Sequence, residues 1–474
     1  MQDFLLGRLL AASELPEDFD LSKTPSLPAI KAEGKQLVCQ RCFNQLAFQP
    51  NPCICDGPCF YCLNCLAFAK LRTCDRLYYD LDPHFYFKDL CREQTYLEWP
   101  GTLSPQQEQC AKQLLTSYQA GRDHLVWAVT GAGKTEMIFP LVDYVLRQGQ
   151  RIALATPRVD VCNELFPRFQ AAFPDIDILL LHGKVDHPYR LSPLTIASTH
   201  QLLRFYQAFD LLIVDEVDAF PYHGDPLLEA ASRRAVKDIG VRVELTATPS
   251  TDQQRAIKLE KVAASILPAR YHRHPLPVPK HRWVGDWRQA IAKGRLPGVL
   301  GSTIKSFLKK GESFLLFLPH IALMEELEKI LHKYFKQVSF TSVSSKDPDR
   351  IEKVAAMREK TYQFLLTTTI LERGVTFPGI HIIVLGSEDR VFNTSSLVQI
   401  AGRVGRKPDQ ASGQVYFLHE GKTKASLQAV KQIQWLNQEA RKRGLIDEWV
   451  LIMSGKFQRK ANFKRALHLE KLGA

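Results

Sequence analysis

The feature that most constrains the fold of this 474-residue chain is an alternation of short apolar runs with longer amphipathic runs, which occurs twice. The short runs of the first series are rich in β-branched residues, as buried strands are: HLVWAVT (124–130), RIALAT (151–156), DILLLHG (177–183), TIAST (195–199), LLIVDE (211–216) and RVELTAT (242–248). Amphipathic runs such as TEMIFPLVDYVLRQG (135–149) lie between several of them. Strands that alternate with helices predict an α/β lobe with a parallel sheet covered on both faces.

A second series of the same kind predicts a second α/β lobe. Its strand-like runs are SFLLFLP (313–319), VSFTS (338–342), FLLTTT (364–369), HIIVLG (381–386) and GQVYFL (413–418). A stretch rich in Pro and His separates the two series, and its prolines predict a linker without regular structure. We therefore expect an N-terminal module (1–99), a first lobe (100–267), a linker (268–283), a second lobe (284–440) and a basic helical tail (441–474).

Composition narrows the class of protein. Hydrophobic residues make up 45% and charged residues 24%, as in ordinary globular proteins. No apolar run approaches the roughly 20 residues that span a bilayer, and the N-terminal segment carries Asp3 and Arg8 where a signal peptide would not. We expect a cytoplasmic protein. The formal charge of +12 suits a phosphate backbone or an anionic lipid surface.

The sequence AVTGAGKT (128–135) follows a predicted strand and precedes a predicted helix, which is the context of a phosphate-binding P-loop. Glycines let the backbone curl so that N–H groups point at phosphate oxygens, and the helix N-terminus adds positive potential. Lys134 is predicted to bind the β- and γ-phosphates of ATP, and Thr135 to ligate Mg²⁺. The ATP-binding residues that we predict here are Thr130, Gly131, Ala132, Gly133, Lys134 and Thr135.

Two further segments complete the predicted catalytic set. DEVD (215–218) follows the run LLIV, at the strand end where open parallel sheets bind ligands. Asp215 is predicted to hold Mg²⁺, and Glu216 to orient the attacking water and accept its proton. In QIAGRVGR (399–406), Arg403 and Arg406 are three residues apart and could supply positive charge to the transition state; by itself the segment could equally be a solvated helix end.

Eight of the eleven cysteines lie between Cys39 and Cys74, a density that predicts metal ligands rather than disulfides in a cytoplasmic protein. Cys39 and Cys42 form one C-x₂-C knuckle, and two knuckles can close a tetrahedral Zn²⁺ site. The spacing leaves open whether the second knuckle is Cys59–Cys62 or Cys62–Cys65. The remaining thiols, Cys53, Cys55 and Cys74, could bind a second ion.

Taken in order, these segments resemble the motifs of superfamily-2 helicases from residue 100 to about 420. The series is LSPQQ (103–107), AVTGAGKTE, ATPR (155–158), STHQLL (198–203), DEVD, TAT (246–248), FLLFLP, TTTILERGVTFP (367–378) and QIAGRVGR. Within that superfamily, WAVTGAGKTEMIFP, DEVDAFPY, TTTILERGV and the upstream Cys-rich module resemble the ComFA family of competence proteins.

The resemblance implies two RecA-like lobes that bind ATP in the cleft between them, and it implies further roles for single residues. Gln107 matches the residue that reads adenine, and Thr246 and Thr248 match the motif that couples hydrolysis to lobe movement. The positions that match DNA contacts are Pro157, Arg158 and Thr199 in the first lobe and Thr368 and Arg373 in the second. FYCLNCLAFAKL favours Cys39, Cys42, Cys62 and Cys65 as zinc ligands, with Cys59 in reserve.

Two positions depart from the pattern of many relatives. Thr376 stands where an acid is common, which puts any role of that acid in doubt, and Gln399 replaces a frequent histidine.

For function, the resemblance implies an ATPase stimulated by single-stranded DNA that pulls transforming DNA inward at the inner face of the cytoplasmic membrane. Its expected partners are single-stranded DNA, the ComEC channel, ComFC and DprA, and a homo-oligomer stays open; it would be peripheral to the membrane, not integral. Two alternatives stay open. One is a nucleotide-gated adaptor that does little motor work. The other is a replication-restart helicase resembling PriA, but there the cysteines interrupt the lobes, whereas here they precede them.

Overall fold

The computed structural model describes residues 4–34, 36–183, 189–372, 375, 377–405 and 413–447. The chain forms two compact units, Met1–Ala128 with Gly133–Leu267 and Val129–Ala132 with Pro268–Ala474. The first unit contains the cysteine-rich region and the first lobe. The second contains the second lobe and four residues of the P-loop.

The cysteine-rich region consists of short antiparallel strands. They are Leu9–Ala11 (β1), Ser26–Pro28 (β2), Ile30–Glu33 (β3), Gln36–Cys39 (β4), Phe48–Pro50 (β5), Phe60–Cys62 (β6) and Arg76–Tyr79 (β7). β1, β7 and β2 form one sheet in that order, while β3 pairs with β4 and β5 pairs with β6 as two-stranded ribbons. Strands this short bury little apolar area, so other interactions must help to stabilise the region.

The first lobe is a seven-stranded parallel sheet with the strand order β10-β11-β9-β12-β13-β8-β14. Its strands are His124–Ala128 (β8), Ile152–Thr156 (β9), Ile178–Leu181 (β10), Leu194–Ser198 (β11), Phe209–Val214 (β12), Val236–Thr246 (β13) and Ala263–Leu267 (β14). Its helices are Pro105–Gln119 (α1), Lys134–Arg147 (α2), Val159–Ala172 (α3), Pro226–Ala235 (α4) and Thr251–Lys258 (α5).

The second lobe is a six-stranded parallel sheet with the strand order β15-β20-β19-β16-β18-β17. Its strands are Lys280–Trp283 (β15), Ser313–Phe317 (β16), Phe340–Val343 (β17), Phe364–Thr367 (β18), Ile380–Leu385 (β19) and Val415–His419 (β20). Its helices are Trp287–Ala292 (α6), Gly298–Lys309 (α7), Ile321–Tyr334 (α8), Arg350–Arg358 (α9), Thr394–Ala401 (α10) and Lys424–Lys442 (α11). The prediction of two parallel-sheet α/β lobes is confirmed.

The structure corrects the two ends of the second lobe. The predicted linker 268–283 is wrong at its C-terminal end, because Lys280–Trp283 forms the edge strand β15 and pairs in parallel with β20. The last proline of the stretch is Pro279, so the four residues after it can join the ladder at a sheet edge. The boundary at residue 440 also falls inside α11, which ends at Lys442, and residues 448–474 of the predicted tail lie outside the described residues.

The cysteine-rich region and the first lobe share one hydrophobic core. Buried Cys39 and Leu71 belong to the same apolar cluster as Phe205 and Phe209 of the first lobe. In addition, the guanidinium of Arg234 donates to the carbonyl of Gln40 at 2.7 Å and to that of Leu203 at 2.9 Å. The expected boundary at residue 99 therefore separates two kinds of sequence, whereas the folded unit contains both.

Candidate nucleotide and metal sites

Five neighbouring strands of the first lobe bring the predicted site residues to one edge of the sheet. The strands β11, β9, β12, β13 and β8 are adjacent and parallel. Because parallel strands end on the same side, the segments that follow them converge there. These segments are Thr199 after β11, Pro157 and Arg158 after β9, Asp215 and Glu216 after β12, Ala247 and Thr248 after β13, and the P-loop after β8.

The P-loop connects β8 to α2 and depends on two glycines. Gly131 and Gly133 have φ values of +80° and +73°, in the left-handed region that favours glycine. A Cβ on Gly133 would collide with Nε2 of Gln107, which donates to the Gly133 carbonyl at 3.1 Å. Gln107 is held in turn by its Oε1, which accepts from the backbone N–H of Ser104 at 2.9 Å. This leaves a close-fitting backbone cradle at the N-terminus of α2, a geometry that suits a phosphate group.

Lys134 and Asp215 face each other across this cradle, with 3.5 Å between Nζ and Oδ1. Both side chains are mostly buried, at 17% and 12% exposure. Oδ1 of Asp215 also accepts from the backbone N–H of Glu216 at 2.8 Å, which orients the carboxylate. An ammonium, a carboxylate and the hydroxyl of the adjacent Thr135 are the donor set that a Mg²⁺–nucleotide complex requires.

Glu216 occupies an uncommon backbone conformation. Its φ is +56°, which costs of order 1–3 kcal/mol for a residue with a side chain. Such conformations persist where the surrounding structure enforces them, and here the constraint comes from its neighbours: Asp215 accepts the Glu216 N–H, and the Val217 N–H donates to the Leu245 carbonyl at 3.2 Å. This backbone conformation at Glu216 directs the loop after β12 along the end of β13.

Asp218 joins that loop to the predicted coupling residues. Its carboxylate accepts from the hydroxyl of Thr246 at 3.0 Å and from that of Thr248 at 2.6 Å. All three side chains are buried. Both threonines are predicted from the sequence, whereas the role of Asp218 is not, although its place as the last residue of DEVD is a usable signal.

The three residues expected to contact DNA in this lobe differ in accessibility. Pro157 and Thr199 are buried, and Thr199 has no exposed area. Arg158 is partly exposed and pairs with Asp160 at 3.1 Å. Arg158 is therefore the one of the three whose side chain reaches the surface in this conformation.

In the second unit, Arg403 is buried and its Nε donates to the carbonyl of Glu372 at 3.0 Å. Thr368 follows β18 and is 8% exposed. The other predicted residues of this region, Arg373, Thr376 and Arg406, lie outside the described residues.

Arg270 is a residue that the sequence analysis missed, because a single arginine in a proline-rich stretch carries no local signal. Its guanidinium is fully buried and donates to the carbonyls of Gly405 at 2.6 Å and Gly402 at 3.0 Å. Within the same unit, the hydroxyl of Thr130 donates to Gly402 at 3.3 Å. These bonds order the backbone on both sides of Arg403.

The structure brings Cys39, Cys42, Cys62 and Cys65 together, with their Sγ atoms within 4.8 Å of one another and all four side chains buried. The Sγ atoms of Cys39 and Cys65 are 3.7 Å apart, and those of Cys42 and Cys62 are 3.4 Å apart. The edge of a ZnS₄ tetrahedron is about 3.8 Å for Zn–S bonds of about 2.3 Å, so the four thiols fit a zinc ion.

Two further residues bear on the assignment of the zinc ligands. The Asn44 amide lies 3.5 Å from Sγ of Cys62, where it can orient a ligand. Cys59, which the sequence analysis kept in reserve, lies instead in a second cluster with Cys53, Cys55 and Cys74.

Three family models match the chain. They are the competence protein ComFA N-terminal domain at residues 1–79, the type III restriction enzyme res subunit at 101–251, and the helicase conserved C-terminal domain at 300–408. Among the described residues, no helix has the length and apolar character needed to cross a membrane.

Relatives extend this similarity over most of the chain. The chain is 41% identical to competence protein ComFA of Streptococcus pneumoniae, over 92% of this chain and 98% of that protein. It is 43% identical to competence protein ComFA of Bacillus subtilis, over 73% and 74% of the two chains. Among solved structures, it is similar in fold to S. cerevisiae Dbp5 bound to RNA and ADP BeF3, with a TM-score of 0.51, 14% identity and coverage of 74% and 93%.

Proposed function

Because this chain belongs to the ComFA family of competence proteins, we propose that it is an ATPase stimulated by single-stranded DNA, which moves transforming DNA into the cytoplasm. Its two helicase domains make it a helicase-type ATPase. The observation that carries the proposal is the single sheet edge where Lys134 faces Asp215 at 3.5 Å and Asp218 binds both coupling threonines. At that edge, the proposed phosphate-binding residues lie in the same loop and strand ends as the hydrogen bonds that would couple hydrolysis to movement.

Most steps of hydrolysis are assigned to residues of this edge. The P-loop backbone and Lys134 would bind the phosphates, while Thr135 and Asp215 would hold a magnesium ion, which would neutralise charge on the phosphates. Glu216 positions a water molecule and accepts its proton. Arg403 and Arg406 supply positive charge to the transition state.

We further propose that Asp218 carries the effect of hydrolysis to the DNA-contacting segments. When Glu216 and its loop respond to the loss of the γ-phosphate, the hydroxyls of Thr246 and Thr248 must follow, because both are bonded to one carboxylate. Arg158 contacts the DNA backbone, and the formal charge of +12 attracts it over a longer range. Little sequence preference is expected, since contacts to phosphates do not read bases.

We also assign the buried cysteines Cys39, Cys42, Cys62 and Cys65 to a structural zinc ion, in which four thiolates leave no open position. The proposed partners beyond DNA are the ComEC channel, ComFC and DprA, at the inner face of the cytoplasmic membrane.

The test is ATP hydrolysis by the purified chain with and without single-stranded DNA. We expect DNA to stimulate turnover, Lys134→Ala to abolish it, and Lys112→Ala to leave it unchanged. Lys112 is a matched control because it lies exposed on α1 and pairs only with Glu108 at 2.7 Å among the described ion pairs. A rate of ATP hydrolysis that single-stranded DNA does not change would contradict the proposal and favour a nucleotide-gated adaptor.

A further inference from the structure

Four cysteines of the N-terminal region are left over when the buried zinc site is complete, and they too converge. Cys53, Cys55, Cys59 and Cys74 place their Sγ atoms within 4.8 Å of one another. Three of them come from the segment between β5 and β6, and the fourth comes from the turn before β7. Residues 21 positions apart, such as Cys53 and Cys74, meet here only because the chain folds back.

We propose that these four thiolates bind a second zinc ion, in a tetrahedral site separate from the first. The Sγ atoms of Cys53 and Cys74 are 3.7 Å apart and those of Cys59 and Cys74 are 3.8 Å apart. These distances match the edge of a ZnS₄ tetrahedron, about 3.8 Å. They are far longer than the bond of about 2.05 Å that joins two sulfurs in a disulfide.

The segment between β5 and β6 has little else to hold it. Residues 51–59 contain no helix or strand, and Ile54 is fully exposed, so its side chain adds no packing to the loop. One backbone hydrogen bond closes the loop, from the N–H of Asn51 to the Cys59 carbonyl at 2.8 Å. A metal ion bound by three residues of this loop would replace the missing core, as metal binding does in other small modules.

The fourth ligand connects the loop to the next segment. The N–H of Thr73 donates to the Phe60 carbonyl at 2.9 Å, and the Thr73 hydroxyl accepts from the Phe60 N–H at 3.2 Å. Cys74 is thereby held beside Cys59. The side-chain amide of Asn51 lies 3.9 Å from Sγ of Cys59, close enough to support a ligand.

The two clusters differ in burial, and this makes them separable. All four thiols of the first cluster are buried, whereas Cys74 is exposed and Cys53 and Cys55 are intermediate. A chelator should therefore remove the ion of the more exposed second cluster, the outer ion, at a rate well above that of the ion in the buried first cluster, the inner ion.

The experiment measures the metal content of the full chain by mass spectrometry, together with the absorption of the cobalt-substituted protein. We expect two zinc ions per chain, and about one in Cys53→Ser and in Cys74→Ser. Cys91→Ser is the matched control, because Cys91 is exposed and lies outside both clusters, and it should keep two ions. ATP hydrolysis is measured in parallel, so that a wrong metal site and a wrong activity are told apart.

A third variant tests whether loss of zinc reflects loss of a ligand or unfolding of the region. Cys53→His keeps a zinc ligand and should retain two ions while the cobalt band of one site changes in energy, because nitrogen replaces sulfur. One zinc ion per wild-type chain would overturn the proposal. Two ions in Cys74→Ser, or the loss of both in every outer variant including Cys53→His, would also overturn it.

Discussion

The two lobes have the same architecture but different chemistry at the carboxyl ends of their strands. In the first lobe, a glycine loop follows β8 and a carboxylate pair follows β12, with Lys134 at 3.5 Å from Asp215. In the second lobe, Thr368 follows β18, and the buried Arg403 is bonded to the carbonyl of Glu372. Both parallel sheets therefore supply the same kind of scaffold, and the segments after their strands give each lobe its own chemistry.

The largest expected effect tests whether the second lobe takes part in the chemistry at all. Arg406→Ala should lower ATP turnover by about 10³–10⁵-fold and leave nucleotide affinity almost unchanged, because it removes charge used in the transition state. Turnover and nucleotide binding are measured separately. Arg441→Ala, an exposed position on α11, is the control. Normal hydrolysis by Arg406→Ala would remove Arg406 from the catalytic set and leave Arg403 as the candidate from the second lobe.

Within the first lobe, Glu216→Gln should lower turnover by about 10²–10⁴-fold, since the amide cannot accept a proton from water. ATP binding should persist, because Lys134 and Asp215 are retained. Glu260→Gln is a matched control: Glu260 has a φ of +53°, close to the +56° of Glu216, but is exposed and lies outside the site. Equal losses in the two variants would mean that backbone conformation, not proton transfer, explains the effect.

Acid should act on the first lobe through His124 at the start of β8. Its ring lies between the hydroxyls of Ser117 and Ser265, each at 2.8 Å, and burial lowers its pKa to about 4. In the unfolded chain, His124 has a pKa of about 6.5, so between pH 4 and 6.5 the unfolded state binds more protons than the folded state. Stability is therefore lost as the pH falls from 6.5 towards 4, by about 3 kcal/mol.

The variant His124→Gln can hydrogen-bond without titrating, so its unfolding free energy should depend less on pH across that window. In the second lobe, burial also lowers the pKa of His381, but Glu312 at 3.6 Å opposes the shift. His381→Gln should accordingly change the pH dependence less. Denaturant unfolding at pH 4.5 and pH 7 measures both; equal effects would remove this difference between the lobes.

The smallest effect concerns the connection from nucleotide to DNA. Asp218→Ala should preserve basal hydrolysis and reduce DNA stimulation by about tenfold. The buried hydroxyls of Thr246 and Thr248 lose their shared hydrogen-bond acceptor, and leaving such a group unsatisfied costs about 1–3 kcal/mol. The ratio of stimulated to basal turnover is the readout. Asp252→Ala, at an exposed position in α5, should leave the ratio unchanged. An unaltered ratio in Asp218→Ala would assign the coupling to other contacts.

The elements of both lobes were largely predictable because their signals are local. Each parallel strand buried on both faces is a short apolar run, and the P-loop is recognisable from eight consecutive residues. β14 and β15 were missed. Ala263–Leu267 carries small residues at a sheet edge, and Lys280–Trp283 is polar and follows three closely spaced prolines. Edge strands bury less area, so their sequences are less constrained.

By itself, the sequence determined that this chain has two α/β lobes, a P-loop, an acidic loop after a strand and a cysteine-rich region. Each of these depends on residues close together in the chain. Tertiary structure alone decided the partners of other distant residues: Cys59 with Cys74, and Asp218 with Thr246 and Thr248. It also decided that Leu71 and Phe209 share a core. Spacing cannot specify such pairs, because the chain path between them sets the distance.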